Sequence, residues 1–189
     1  MILNENCIVF DTETTGLYAG EDEILQLSII NGNGDVLFNE YIKPSRRKKW
    51  TDAQRIHHIS PQTVKNCKTF RHYKKQIQEI FDSVNIIIAY NAVFDIRFLN
   101  AAGIDTWRIT KPHEKELIEF ALNPEKKITL DPMIDFAEIY GEFSEYHNAY
   151  KWQKLTTAAR YYGYQFNAHD SLEDVRATLH VAKEIYKDK

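Results

Sequence analysis

Four acidic residues and a histidine stand where the sequence could build a metal site: Asp11, Glu13, Asp95, His169 and Asp174. Asp11 and Glu13 lie two residues apart at the end of an apolar segment, so in an extended strand both side chains project from one face. Burying two like charges together is costly unless a cation compensates them, and Mg²⁺ prefers carboxylate oxygens. The pair therefore predicts either a divalent metal site or, more plainly, a strand end followed by polar turn residues.

The other two acidic segments each have a structural interpretation of their own. Asp95 falls in the first turn of a helix that Asn91 can cap, where a carboxylate stabilises the positive end of the helix dipole. His169 precedes a helix that begins with Asp170, and Asp174 lies in the first turn of that helix. Taken together, the acids stand at strand ends and helix starts, where α/β sheets carry their sites, and this favours one shared site.

Apolar periodicity predicts the elements that would position these residues. Strands are predicted at 7–10, 24–30, 36–42, 85–89 and 128–131, and helices at 69–81, 92–102, 113–122, 133–140, 154–162 and 171–187. A hairpin turn is expected at 31–35, and Ser60-Pro61 is expected to open a short helix. The order of the elements predicts an α/β fold with a mixed five-stranded sheet and helices on both faces. No linker or repeat divides the chain, so residues 1–189 are expected to form a single domain.

Composition limits the classes of function. The 189 residues are 43% hydrophobic and 27% charged, with a net charge of −3, which is typical of a globular protein and counts against a module that binds nucleic acid by charge alone. Cys7 and Cys67 lack the spacing of zinc ligands. The first residues do not form a signal peptide, and no apolar run reaches the length of a membrane span. A cytoplasmic protein with no membrane partner is therefore expected.

Three motifs in order carry a resemblance to a known family. Asp-x-Glu-Thr-Thr-Gly at 11–16, Asn-Ala-x-Phe-Asp at 91–95 and His-x-x-Leu-x-Asp at 169–174 resemble the three exonuclease motifs of the DnaQ-like, DEDDh superfamily. That superfamily includes the proofreading subunits of bacterial replicative polymerases, RNase T and oligoribonuclease. The resemblance runs from Ile8 to about Ile185. It implies a ribonuclease H-like fold and a 3′→5′ exonuclease that releases nucleoside 5′-monophosphates.

The resemblance also implies a role for each residue of the site. Asp11, Glu13, Asp95 and Asp174 match the acids that bind two Mg²⁺ ions, for which Mn²⁺ substitutes. The hypothesis is that Asp11 bridges both ions, that Glu13 and Asp174 hold one side, and that Asp95 acts directly or through water. His169 matches the general base because it precedes Asp174 by five residues, and imidazole groups titrate near neutral pH.

Substrate contacts are expected from residues around the motifs. Leu17 and Phe94 are expected to pack on the terminal base or sugar, and backbone groups near the 3′-OH come from the first motif. The full expected set is Thr12, Thr14, Leu17, Ile56, His57, Asn91 and Phe94. Two positions depart from the family, which usually has Gly where His58 stands and often has His where Tyr90 stands. The aromatic-rich stretch 140–152 is interpreted either as a nucleic-acid platform or as a packed loop.

The predicted partner is a nucleic acid with a free 3′ end. Single-stranded DNA is the first choice, and a polymerase or a replication or repair complex is a further expected partner. Two alternatives remain open from the sequence. One is an RNA 3′ exonuclease like RNase T or oligoribonuclease, because the motifs do not show a contact to the 2′-OH. The other is a catalytically silent nucleic-acid-binding module that keeps the fold.

Overall fold

A five-stranded mixed sheet runs through the protein, whose computed structural model describes residues 3–106 and 127–187. The strands are β1 (Cys7–Thr14), β2 (Ile24–Asn31), β3 (Val36–Tyr41), β4 (Ile86–Ile88) and β5 (Ile128–Leu130), in the sheet order β3-β2-β1-β4-β5. The first three strands pair antiparallel, whereas β4 is parallel to both β1 and β5. The predicted mixed sheet and the hairpin at 31–35 are confirmed.

Six helices and a small second hairpin complete the described residues. The helices are α1 (Thr51–His57), α2 (Phe70–Asp82), α3 (Ala92–Ala101), α4 (Pro132–Tyr140), α5 (Leu155–Tyr161) and α6 (Ser171–Tyr186), and the hairpin joins β6 (Phe143–Ser144) to β7 (Ala149–Tyr150). The helix predicted at 113–122 lies outside the described residues. Within 3–106 and 127–187, no helix has both the length and the apolarity to cross a bilayer.

The side chains of β1 alternate between two cores, one on each face of the sheet. Cys7 and Val9 belong to the core that includes Val175 of α6. Ile8 and Phe10 belong to the core that includes Ile96 of α3. Helices therefore cover both faces, as predicted. Because strand residues alternate, odd-numbered positions of β1 face α6 and even-numbered positions face α3.

The segment before α2 differs from the prediction. Residues 61–67 form turns, because the N–H groups of Lys65 and Cys67 donate to carbonyls only three residues back. The prediction of a short helix from Ser60-Pro61 is therefore wrong, and the helix of this region, α1, lies earlier. His58 ends α1 at φ 61° and ψ 6°, the left-handed conformation that glycine adopts most easily. The position that departs from the family's usual Gly thus keeps a glycine-like backbone.

Candidate active site

The residues of the three motifs lie together at the edge of the sheet where the parallel strands end. The parallel strands β1, β4 and β5 end at the same edge, so the segments that follow them meet there. Glu13 lies near the end of β1, Tyr90 follows β4, and Asp131 follows β5. The N-terminus of α6 approaches the same edge, because α6 packs across β1.

Glu13, His169 and Asp174 form a compact group of possible metal ligands. One carboxylate oxygen from each acid and one imidazole nitrogen all lie within 4.8 Å of one another. The alternation of β1 explains the grouping, since the odd-numbered residues Asp11 and Glu13 face α6, which carries Asp174. His169 is exposed, whereas Asp174 is buried.

Asp95 approaches the site from the opposite face through Thr12. Its Oδ1 atom accepts hydrogen bonds from the backbone N–H of Thr12 at 2.9 Å and from the hydroxyl of Thr12 at 2.6 Å. Thr12 is the even-numbered residue between Asp11 and Glu13, so it faces α3. Burial raises the pKa of Asp95 to about 7, and the two hydrogen bonds from Thr12 act against that rise. The Thr12 side chain therefore fixes Asp95 beside the two acids of β1.

The site concentrates negative charge, and its acids raise one another's pKa values. Burial, followed by the charges of Asp95 and Asp174, raises the pKa of Asp11 well above its ordinary value. Burial and then the charge of Asp174 raise the pKa of Glu13 to about 8. Burial also raises the pKa of Asp174 to about 7. A set of buried and partly buried carboxylates with raised pKa values suits a divalent cation, which stabilises the ionised forms of all its ligands.

This charge crowding predicts an unusual dependence of stability on pH. On folding, the pKa of Glu13 rises from an ordinary 4.5 to about 8, and the pKa of Asp174 rises from 3.8 to about 7. Between the ordinary and the raised pKa values, the folded state therefore binds more protons than the unfolded state. The free energy of unfolding must then fall as pH rises through this interval. We expect the melting temperature in EDTA to decrease steadily from about pH 5 to about pH 8.

Two controls assign this effect to the site. The substitution Glu13→Gln should flatten the pH dependence in EDTA, because it removes one carboxyl that titrates in the interval. Saturating Mn²⁺ should flatten it for the wild type, since the cation compensates the ionised carboxylates. A melting temperature that rises between pH 5 and 8 in EDTA would contradict the charge crowding.

Hydrogen bonds at the start of α6 hold His169 in place. Asp170 caps the helix by accepting the N–H groups of Leu172 and Glu173, as its spacing predicts. The backbone N–H of His169 donates to Asp174 Oδ2 at 3.0 Å. His169 has a φ of 75°, a left-handed conformation that directs the chain sharply into the helix. The carboxylate that belongs to the site thus also fixes the backbone of the histidine.

Asp131 has a structural role in joining two helices. Its carboxylate accepts the N–H groups of Asn91 at 3.0 Å, Ala92 at 2.9 Å and Met133 at 3.1 Å, so it caps both α3 and α4. The prediction that Asn91 caps α3 with its side chain is wrong, because Asn91 has a φ of 68° and makes no such bond. The pattern Asp131-Pro132 after a strand could have revealed the cap of α4, since Pro favours the first helical position. The bridge to α3 is tertiary and leaves no local signal.

A cavity of about 650 Å³ opens beside Glu13 on the α1 side. Six of the seven residues predicted to contact substrate line it: Thr12, Thr14, Leu17, Ile56, His57 and Phe94. Leu17 and Ile56 are exposed, whereas Phe94 packs against Phe98 with its ring centroid 4.9 Å away. Asn91 is exposed at the turn before α3 and does not line this cavity.

His57 braces the wall of this cavity with both ring nitrogens. Its Nδ1 accepts the N–H of Ile59 at 3.0 Å, so the proton of the neutral ring lies on Nε2, which donates to the Thr14 carbonyl at 3.1 Å. Burial lowers the pKa of His57 and keeps the ring neutral. The ring therefore ties α1 to the end of β1.

A loop held by Asp22 presents Leu17 and Tyr18 to solvent at the mouth of the cavity. The buried Asp22 carboxylate accepts the hydroxyl of Thr15 at 3.1 Å and the N–H of Tyr18 at 3.1 Å, and it pairs with Arg47 at 3.0 Å. Leu17 is 75% exposed and Tyr18 is 70% exposed, so both side chains are accessible at the mouth of the cavity. The loop is thus fixed at its base while its tip stays open.

Gly16 in this loop leaves no room for a side chain, and this predicts the effect of Gly16→Ala. A Cβ atom there would overlap the Asp22 carboxylate, which its three partners prevent from moving away. We expect the substitution to cost about 1–3 kcal/mol in the free energy of unfolding, measured by urea denaturation. In the background of Asp22→Gly the same substitution should cost much less. Equal costs in both backgrounds would rule out the overlap.

A second cavity, of about 470 Å³, also borders the carboxylates. Asp11, His169 and Asp174 form one wall, and Tyr90 and Trp152 line it further out. The hydroxyl of Tyr90 donates to the carbonyl of Gln153 at 2.8 Å, and burial raises the pKa of this tyrosine well above its usual range. The acidic site therefore borders two cavities.

Comparisons with known proteins relate the chain to exonucleases and DNA polymerases. The sequence model of a family described as "Exonuclease" matches residues 8–182. The PolC-type DNA polymerase III of Streptococcus pneumoniae is 32% identical over 149 residues, which cover 75% of this chain and 10% of that protein. The DNA polymerase III subunit epsilon of Rickettsia felis is 30% identical over 156 residues, which cover 76% of this chain and 67% of that protein. The chain thus spans about a tenth of the length of its PolC-type relatives.

Among solved structures, Exonuclease X in complex with 5′ overhanging duplex DNA matches with a TM-score of 0.66. The match covers 96% of this chain and 91% of that chain at 16% sequence identity. At this identity the likeness concerns the fold, and it confirms the ribonuclease H-like fold predicted from the motifs.

Proposed function

This chain belongs to the exonuclease family. From that premise we propose that it is a divalent-metal-dependent 3′→5′ exonuclease whose active site lies at the carboxyl end of β1. The observation that carries the proposal is the approach of Glu13, His169 and Asp174 ligand atoms within 4.8 Å, from segments more than 150 residues apart. Asp11 on the same strand and Asp95 through Thr12 complete the set. The same five residues stand in the three motifs that resemble the DEDDh exonucleases.

The proposed metal ligands are Asp11, Glu13, Asp95 and Asp174, and the proposed cation is Mg²⁺, with Mn²⁺ able to replace it. Bound divalent cations supply charge neutralisation at the phosphate and acidify a water molecule. The raised pKa values of the carboxyls fit this assignment, because ligands that repel one another are stabilised together by a cation.

His169 is the proposed general base. One of its ring nitrogens lies within 4.8 Å of carboxylate oxygens of Glu13 and Asp174. The side chain is exposed, so it can exchange protons with solvent. It would take a proton from the attacking water as the new bond to phosphorus forms. The bond from phosphorus to the 3′ oxygen of the preceding nucleotide would break, that oxygen would take a proton from solvent to become the new 3′-OH, and a nucleoside 5′-monophosphate would leave.

The cavity between β1 and α1 is the proposed site of the terminal nucleotide. Leu17 at the loop tip and the half-buried ring of Phe94 offer apolar surfaces to a base or sugar without distinguishing its identity. Ile56 adds a third exposed apolar contact. Thr12 and Thr14 use their hydroxyls within the protein, and Asp95 and His57 also engage the Thr12 N–H and the Thr14 carbonyl, so these two residues shape the wall of the cavity.

DNA is the proposed substrate. Two relatives named as DNA polymerase III and a solved exonuclease in complex with DNA support this choice over RNA. The test compares DNA and RNA oligonucleotides of the same sequence, each with a free 3′ end, in Mg²⁺ and in EDTA. We expect faster cleavage of DNA, abolished by EDTA. Faster cleavage of RNA would assign the alternative substrate, and no cleavage of either would favour a silent binding module.

A polymerase is the proposed protein partner, because both curated relatives described above are polymerase proteins or subunits. Residues 1–189 would then act as one exonuclease domain that trims the primer end. Addition of the DNA polymerase III from the same organism should raise the rate of excision at a mismatched primer end above the rate at a matched one. An unchanged ratio would argue against this partnership.

A further inference from the structure

The β6–β7 hairpin displays aromatic rings that the fold leaves unburied. Tyr146 is 91% exposed and Trp152 is 68% exposed, while Phe143 and Tyr150 are 48% and 42% exposed. Tyr146, Tyr150 and Trp152 line a shallow cavity of about 620 Å³ on this surface. So many exposed large rings in one place mark an interaction surface, because soluble proteins rarely leave them in contact with water.

This surface is continuous with the active site. Trp152 lines the shallow cavity and also the cavity whose wall is formed by Asp11, His169 and Asp174. A strand whose terminal nucleotide lies in the cavity near Phe94 has its scissile phosphate at the carboxylates. The cavity lined by Trp152 borders the same carboxylates, so it offers the preceding nucleotides a surface on which to continue.

The chain on both sides of Trp152 is held in place by hydrogen bonds. The Lys151 N–H donates to the carbonyl of Glu142 at 2.8 Å, and the Gln153 side chain donates to the Glu142 carboxylate at 3.2 Å. Behind it, the Tyr90 hydroxyl donates to the Gln153 carbonyl. Trp152 is thus fixed at its backbone on both sides, while its ring remains open. A ring fixed in this way loses little conformational entropy when a ligand stacks on it.

We propose that the ring of Trp152, followed by those of Tyr150 and Tyr146, forms a stacking platform for bases on the 5′ side of the scissile phosphate. The inference rests on the proposed exonuclease function and specifies how that site holds its polymer. Every base has a π-face, so such a platform tolerates any sequence. The exposed Lys154 lies next to it in the cavity, where its charge would meet a phosphate of the strand.

The decisive test compares a small substrate with a longer one. The p-nitrophenyl ester of thymidine 5′-monophosphate requires only the terminal cavity and the carboxylates, whereas a five-nucleotide thymidylate also reaches the platform. We expect Trp152→Ala to lower kcat/KM about 10-fold or more on the oligonucleotide and less than about 2-fold on the ester. Trp152→Phe keeps an aromatic face and should recover most of the loss.

A second arm removes the base instead of the ring. An abasic site at the second nucleotide from the 3′ end should slow the wild type but leave Trp152→Ala unchanged, because the two changes delete the same contact. Lys154→Ala should weaken the dependence of KM on salt, whereas Lys183→Ala, an exposed control on the last turns of α6, should not.

The outcomes separate the two proposals. If the wild type cleaves both substrates but Trp152→Ala changes neither rate, or changes both equally, the proposed platform is wrong while the proposed exonuclease activity is supported. A protein partner would then be the occupant to seek. If the wild type cleaves neither substrate with a divalent cation, the proposed function itself fails and the platform falls with it. Melting curves of the variants show whether the exposed substitution has left the fold intact.

Discussion

Asp11→Asn is expected to lower kcat/KM by about 1,000-fold or more, the loss that corresponds to roughly 4 kcal/mol of transition-state stabilisation. Asparagine keeps the shape of the side chain but removes the charge that the proposed cations need. Asp11→Ala should abolish activity in the same way. The measurement is steady-state cleavage of an oligonucleotide in Mg²⁺, with Mn²⁺ affinity followed separately by calorimetry.

The stability of the variant distinguishes loss of the site from loss of the fold. Asp11 is partly buried beside other acids that raise its pKa, so removing its charge relieves repulsion. In EDTA near pH 8, Asp11→Asn should therefore melt at the same temperature as the wild type or higher. The matched control is Asp82→Asn at the end of α2, an exposed acid just before β4, which should keep full activity. An active Asp11→Asn protein would remove this residue from the proposed site.

Replacement of His169 is expected to lower kcat by about 100- to 10,000-fold while KM changes little. His169→Gly is the sharpest variant, because the φ of 75° at this position suits glycine and strains alanine. His169→Ala should likewise retain only a trace of activity. Unlike the Asp11 variants, both should bind Mn²⁺ nearly as the wild type does, since the carboxylates remain.

Chemical rescue gives this prediction a readout that a structural role would not produce. Free imidazole can enter the space left in His169→Gly and accept the proton in place of the side chain. We expect imidazole to restore part of kcat to His169→Gly and nothing to Asp11→Asn. Absence of rescue together with full Mn²⁺ affinity would argue that His169 serves mainly to shape the start of α6.

Local patterns predicted the sheet well because its elements are short and strongly patterned. The odd and even residues of β1 divide between two cores, and a run such as Ile86–Ile88 is buried on both faces. The small hairpin β6–β7 was not predicted, since its strands have two residues each and its rings are exposed. The helix expected after Ser60 does not form, because the side chains of Ser60 and Thr63 hydrogen-bond to each other and close a turn.

The residues of the candidate site could be predicted from the sequence, but the contacts between them could not. Spacing alone could suggest that Asp11 and Glu13 share a face, whereas the contact between Thr12 and Asp95 joins residues 83 positions apart. The two caps made by Asp131 and the brace made by His57 are likewise tertiary. Asn91 shows the reverse case, because its residue type predicted a capping side chain that its left-handed backbone does not provide.

The most direct test of the proposed function follows a 5′-labelled DNA strand with the purified protein and identifies the released product. In Mg²⁺ or Mn²⁺ we predict a ladder that shortens one nucleotide at a time from the 3′ end, with nucleoside 5′-monophosphates as product. A strand blocked by a 3′-phosphate should resist, and EDTA or Asp11→Asn should stop the reaction. Internal fragments, shortening from the 5′ end, or equal activity in EDTA would contradict a metal-dependent 3′→5′ exonuclease at this site.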